Sequence, residues 1–183
     1  MLKGKRISLA PIKREYIDSF LKWFNDPEIT QYLVRYRPMT KMGEEDWIEN
    51  LKNQENSIHF AIVILAEDGS EKLIGNCGIH NVDWKNRVGE LGIVIGEKDY
   101  QNKGYGTEVI ELLLEYGFDT VNLNRIELYV YDYNIRALRS YQKAGFTEEG
   151  RKRQFMWNKG RYYDAIIMGI LAEEWSEKKK IRN

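Results

Sequence analysis

The spacing of apolar and polar residues changes several times along this chain, and each change marks an element. "KRISLAPI" alternates and predicts a first strand, ended by Pro11. "KREYIDSFLKWFND" places apolar residues at Tyr16, Ile17, Phe20, Leu21, Trp23 and Phe24, the stripe of an amphipathic helix. Asn25, Asp26 and Pro27 stop that helix, and a tyrosine-rich irregular stretch runs on to Met42. "GEEDWIENLKNQ" predicts a second helix, with an acidic first turn that suits the helix dipole. Three strands follow as an antiparallel meander: "SIHFAIVILA", then "KLIGNCGIHNVD" after an "EDGS" turn, then "RVGELGIVIG".

A third helix begins after Gly104, and "RIELYVYD" is a fifth strand with Ile126, Leu128 and Val130 on one face. "NIRALRSYQKAGF" is a short helix that Gly145 can end in a left-handed cap. "RKRQFMWNKGRYYDAIIMGIL" splits at Asn158-Lys159-Gly160 into a hairpin. "EEWSEKKKIRN" predicts a charged, solvated end. The pattern is that of a mixed α/β domain around one sheet, a single unit over residues 1–183 without repeat or linker.

Composition removes several function classes. The chain is 43% hydrophobic and 31% charged, a folded rather than a disordered balance. Lys plus Arg equals Asp plus Glu, 28 of each, so bulk charge argues against broad nucleic-acid binding. Cys77 is the single cysteine, which points to a reducing compartment. The longest apolar run, Phe60 to Ala66, is far below the roughly 20 residues of a spanning helix. With no charged-then-apolar leader, the expectation is a cytoplasmic protein that binds neither membrane nor nucleic acid. His59, His80 and Cys77 are not spaced as a metal site, so no metal is expected.

The stretch that carries chemistry is "DYQNKGYGTEV", between the fourth strand and the third helix. A helix N-terminus has N–H groups without intrahelical partners and about half a positive charge. A glycine turn entering it adds more N–H groups and lets a ligand approach the backbone, a seat for a phosphate or diphosphate. Lys103 adds local positive potential. Gly104 and Gly106 equally suit a tight strand-to-helix turn with no ligand. The G-x-x-x-x-G-K-[ST] and G-x-G-x-x-G motifs are absent.

"QNKGYG" resembles the [R/Q]-x-x-G-x-[G/A] signature of the GNAT acetyltransferase superfamily, and "NIRALRSYQKAGF" resembles its N-x-x-[A/S]-x-x-x-Y-x-x-x-G-F segment. "WFNDPEI" and "NKGRYYDAIIMGIL" are similar to its RimJ/RimL-like branch, which has polyamine- and antibiotic-modifying relatives. The resemblance covers nearly the whole chain in the right order. It implies a strongly twisted, mostly antiparallel sheet flanked by helices, whose fourth and fifth strands splay to admit acetyl-CoA. The pantetheine arm is then expected on the Ile93, Val94 and Ile95 backbone. The diphosphate is expected on Gln101, Asn102, Lys103, Gly104, Tyr105, Gly106 and Thr107. Gly92 marks a bulge or a close backbone approach.

Acetyl transfer needs a neutral amine, a donor for the oxyanion and a hydrogen bond or proton for the leaving sulfur. The resemblance implies Tyr141 beside the sulfur. A phenol of pKa about 10 can share a proton with a thiolate at a cost of about 2 kcal/mol. Asn134 can cap its helix, and the resemblance adds a hydrogen bond to pantetheine. Tyr129 stands where some relatives carry a basic glutamate, which leaves Glu90 as the candidate base, acting through water. The N–H of Val94 or Ile95 is expected to meet the oxyanion.

The acceptor stays open. Trp23, Tyr32, Tyr36, Trp47, Phe155, Trp157 and Tyr162 can flank an amine or pack the fold. Glu44, Glu45, Asp46 and Glu49 can attract a polyamine or simply compensate a dipole. The expected function is N-acetylation of a protein N-terminus or small amine. The alternatives are a polyamine or aminoglycoside acetyltransferase, and a silent acyl-CoA-binding module. A homodimer is compatible with all of them.

Overall fold

The computed structural model describes residues 1–65 and 70–182. The expected 67–70 turn lies, apart from Ser70, outside the described residues. One eight-stranded sheet forms in the order β1-β2-β3-β4-β5-β6-β8-β7. The first strand is interrupted: β1 is Leu2–Lys3 and β2 is Ser8–Ala10, paired antiparallel. β3 (Ile58–Leu65), β4 (Glu71–Asp83) and β5 (Val88–Ile95) make the expected meander. β6 (Arg125–Tyr131) is followed by the hairpin β7 (Thr147–Asn158) and β8 (Arg161–Leu171). Its two-residue turn uses positive φ at Lys159 (48°) and Gly160 (85°).

The helices lie on two faces. On one side are α1 (Ile17–Phe24), α2 (Pro27–Thr30) and α3 (Lys41–Asn50). Their Tyr16, Phe20, Trp23 and Ile29 pack on Ala10, Ala61 and Val63. On the other side are α4 (Tyr105–Glu115), α5 (Ile135–Ala144) and α6 (Ala172–Arg182). There Val109, Ile110, Leu113, Tyr141 and Trp175 close over Ile79, Leu91, Ile126, Leu128 and Ile166.

Two expectations are corrected by local chemistry. The residues that stop α1 also start α2: Asp26 caps it by accepting from the Glu28 N–H, and Pro27 takes a first-turn position. The charged tail is a helix, because Trp175, buried to 4% exposure, anchors it to the core. A lone tryptophan among eight charged or polar neighbours gives no periodic stripe, so hydropathy patterning misses it.

Candidate active site

The sheet opens at its centre. β5 and β6 are parallel and pair only at Val88↔Arg125, Gly89↔Ile126 and Glu90↔Glu127. Beyond Glu90, Leu91–Ile95 keeps β4 on one side and has an open edge on the other. A cavity of about 530 Å³ fills the opening. It reaches from the glycine turn and α5 on one face to α2 and the following Tyr32, Leu33 and Val34 on the other.

Backbone alternation decides which groups of β5 face the cavity. Gly96 N–H donates to the Ile74 carbonyl, and the Val94 carbonyl points at Gly75, both toward β4. Residues of the other parity turn their N–H and C=O to the open edge. Ile95 shows this directly: its carbonyl accepts from Gln101 Nε2 at 2.8 Å, away from β4. By this alternation the N–H groups of Leu91, Ile93 and Ile95 face the open edge, whereas the Val94 backbone faces β4 although its residue lines the cavity.

Gly92 lines the cavity. β5 keeps regular register through it, and a Cβ there would lie 2.9 Å from His80 Nε2. The close approach is made by the His80 ring.

The glycine turn is held from outside. Arg6 donates through its backbone N–H and Nε to Glu108, and through Nη1 to the Lys103 carbonyl at 2.9 Å. Its guanidinium lies 4.4 Å from the centre of the Tyr105 ring. Asn102 (φ 59°) and Gly104 (φ 83°) are left-handed, and among the described residues no side chain caps α4. The N–H groups of its first turn are therefore available to a ligand. A Cβ on Gly106 would project into open space. Gln101, Asn102, Gly104, Gly106 and Thr107 line the cavity. Lys103 and Tyr105 do not: Lys103 Nζ sits 6.0 Å from the Tyr100 ring, and Tyr105 packs between Tyr100 and Arg6.

α5 brings Asn134, Arg136, Ala137, Ser140 and Tyr141 to the same space. Asn134 Oδ1 caps the helix by accepting from the Ala137 N–H at 3.3 Å, and Gly145 ends it at φ 108°. Tyr141 packs edge-on to Phe146, and burial pushes its phenol well above the usual tyrosine range. Glu90 lines the opposite part of the cavity and accepts from Asn81 Nδ2 at 3.0 Å. Tyr131 faces it, its phenol raised by burial and by the Glu90 charge. Tyr129, Phe155, Tyr32, Leu33 and Glu28 complete that wall, with Glu28 paired to Lys98 at 2.7 Å.

The acidic start of α3 does not reach the cavity. Glu44 is 1% exposed with neither oxygen hydrogen-bonded among the described residues, and burial raises its carboxyl despite the Arg35 charge. Cys77 is buried and its thiol pushed up by burial, which fits a packing role. No helix among the described residues is long and apolar enough to cross a membrane.

The acetyltransferase (GNAT) domain model matches residues 6–147. The chain belongs to the GNAT acetyltransferase family. The acetyltransferase is 28% identical over 179 residues to an uncharacterized N-acetyltransferase, p20, of Bacillus licheniformis, covering 96% of this chain and 98% of that one. It is 31% identical over 130 residues to spermidine N(1)-acetyltransferase of Vibrio cholerae, covering 71% and 75%. A crystal structure of the Vibrio cholerae spermidine N-acetyltransferase with CoA and spermine superposes with a TM-score of 0.87 at 24% identity, over 94% of this chain and 99% of that one. The opened, mostly antiparallel sheet is thus the GNAT fold, and the chain is a GNAT N-acetyltransferase.

Arg136, like Glu28, Tyr131 and Ser140, lines the cavity without having been a candidate from the sequence. Its position two residues after the capping Asn134 was the available signal, because a cation in a helix's first turn opposes the dipole.

Proposed function

We propose that this acetyltransferase moves the acetyl group of acetyl-CoA to the primary amine of a small molecule, with polyamines as the first acceptor class. The single observation that carries the proposal is the parting of β5 and β6 beside the uncapped start of α4. The residues fit the cofactor: an open strand edge suits an extended amide arm, and free helix N–H groups beside a Cβ-free Gly106 suit a diphosphate. When bound, acetyl-CoA supplies the activated acyl group.

Glu90 has a carboxylate on the cavity and no ion-pair partner among the described residues, so it can take the ammonium proton through water. An Ile93 or Ile95 N–H on the open edge can donate to developing negative charge. Tyr141 stays protonated across the physiological range and donates a hydrogen bond to the departing sulfur. Its raised pKa makes complete proton transfer costlier than the roughly 2 kcal/mol of an unperturbed phenol.

The sequence reading put a protein N-terminus or small amine first and a polyamine second. The spermidine-acetylating relatives favour the reverse order. A dodecameric structure of the Vibrio cholerae enzyme (TM-score 0.81) extends the proposal to a homo-oligomer.

The test is acceptor-dependent thiol release from acetyl-CoA with spermidine, spermine, an aminoglycoside and a peptide with a free N-terminus. Spermidine-dependent release is the expected result. Preference for the peptide would return the acceptor to the RimJ/RimL-like reading. Tight CoA binding with no acceptor-dependent release would make the protein an acyl-CoA-binding module.

A further inference from the structure

The first residue of the glycine motif does not hold a phosphate with its side chain. Gln101 Nε2 donates to the Ile95 carbonyl at 2.8 Å, and Gln101 Oε1 accepts from Arg136 Nη1 at 2.8 Å. Both ends of the amide are engaged, and together they fix Arg136 against the end of β5.

Arg136 is otherwise poorly explained as a structural residue. It lies in the first turn of α5, where the helix dipole disfavours a cation, and that turn contains no acidic residue. Its partners among the described residues are Gln101 and the Tyr32 ring, 5.8 Å away. A guanidinium has five N–H donors, and one is used here. The group lines the cavity beside Asn102 and Gly104, next to the uncapped start of α4. The uncapped start of α4, the first turn of α5 and a guanidinium without an ion-pair partner among the described residues meet at one mouth, an arrangement that a bound dianion would stabilise.

We propose that Arg136 is the cationic ligand of the CoA diphosphate, with Gln101 as the positioning residue that aims it. This inference rests on the acetyl-CoA reading above. It gives Arg136 the role expected of Lys103, which stands outside the cavity.

The test is calorimetric binding of CoA, 3′-dephospho-CoA and pantetheine to the full chain and to Arg136→Met, Arg136→Lys, Gln101→Leu and the Arg136→Met/Gln101→Leu double variant. Arg136→Met should weaken CoA and 3′-dephospho-CoA by the same factor, roughly 10- to 100-fold for a charge-assisted hydrogen bond, and leave pantetheine unchanged. Arg136→Lys should recover part of the loss, since a lysine cannot bind bidentately. Gln101→Leu should cost less than Arg136→Met and add little to it, the non-additivity of two residues acting as one unit. Unchanged CoA affinity in Arg136→Met with an unchanged melting temperature would overturn the proposal. So would a loss confined to CoA, which would assign the cation to the 3′-phosphate. Failure of the unaltered protein to bind CoA would instead overturn the cofactor reading itself.

Discussion

The two ends of the cavity are built on opposite plans. The cofactor end is mostly backbone: the free edge of β5, the left-handed Asn102 and Gly104, and the uncapped first turn of α4. The acceptor end is side chain: Glu28, Tyr32, Glu90, Tyr129, Tyr131 and Phe155, from five different elements or connections. Backbone recognition constrains sequence through glycines and polar turn residues at fixed spacing, so it leaves a motif. Side-chain recognition scatters its residues along the chain and leaves none. The same enzyme is therefore easy to assign to a cofactor and hard to assign to an acceptor.

Tyr141 lines the cavity from α5, and its loss gives the largest expected effect. Tyr141→Phe should lower turnover by about 10²-fold, the usual scale of acid catalysis, with CoA affinity kept. The pH profile of the unaltered enzyme should show no falling limb from this phenol below pH 10, because burial holds it above its ordinary value. Near-normal turnover of the variant, measured where chemistry limits the rate, would remove Tyr141 from the reaction.

The two glycines separate strain from ligand contact within the cofactor end. Gly104 has φ 83°, a region that costs an L-residue roughly 1–2 kcal/mol and a β-branched one more. Gly104→Val should lower the melting temperature and weaken CoA by about tenfold or more. Gly106 meets nothing within 4 Å, so Gly106→Val should leave the melting temperature nearly unchanged and still weaken CoA about tenfold. Unchanged CoA affinity in both variants would show that the turn is only a tight connection.

How much of this was legible follows the same division. Strand alternation and helical stripes located the meander, α1, α4, α5 and the hairpin, because each buries one face. α6 escaped because Trp175 is its one large buried side chain among charged neighbours, which leaves no apolar stripe. The glycine motif marks a turn that lines the cavity, but not which side chain brings charge to it. That depends on Gln101 and Arg136 meeting across 35 residues, which no local pattern records. Gly92 also meets the His80 ring, a contact set by strand register that no local pattern records. The acidic start of α3 suited either a polyamine or simple dipole compensation, and packing turns Glu44 inward.

A smaller effect is expected at the acceptor rim. Lys152 Nζ sits 4.2 Å from the Tyr129 ring and 5.2 Å from the Phe155 ring, both on the cavity. In that position it competes with any second ammonium of the acceptor. An exposed cation–π contact is worth about 0.5–1 kcal/mol. Lys152→Met should therefore lower KM for spermidine roughly two- to fivefold, with kcat and CoA affinity unchanged. A raised or unchanged KM would show that the Tyr129 and Phe155 rings do not receive an ammonium of the acceptor.

The smallest effect tests whether the two ends are independent in acid. His59 and His80 lie behind the acceptor wall, ring centres 4.9 Å apart, with His59 Nε2 2.8 Å from Gln54 Oε1 and Trp47 edge-on. Burial, then the neighbouring His80, brings His59 down to about 4, and burial lowers His80 as well. An unfolded histidine takes a proton near 6.5. A folded value below the unfolded one means the contribution is complete above about pH 6.5. It is lost as pH falls toward 4, because the unfolded chain binds the proton first. The melting temperature should decline across that window, and His59→Gln should flatten part of the decline between pH 6.5 and 5, before most carboxylates titrate. CoA affinity of the still-folded protein should hold over the same interval, since the groups that titrate face the α1–α3 side and the diphosphate seat is backbone and guanidinium. A parallel fall in CoA affinity would show that the acceptor wall and the glycine turn behave as one unit, and the division between backbone and side-chain recognition would lose its energetic meaning.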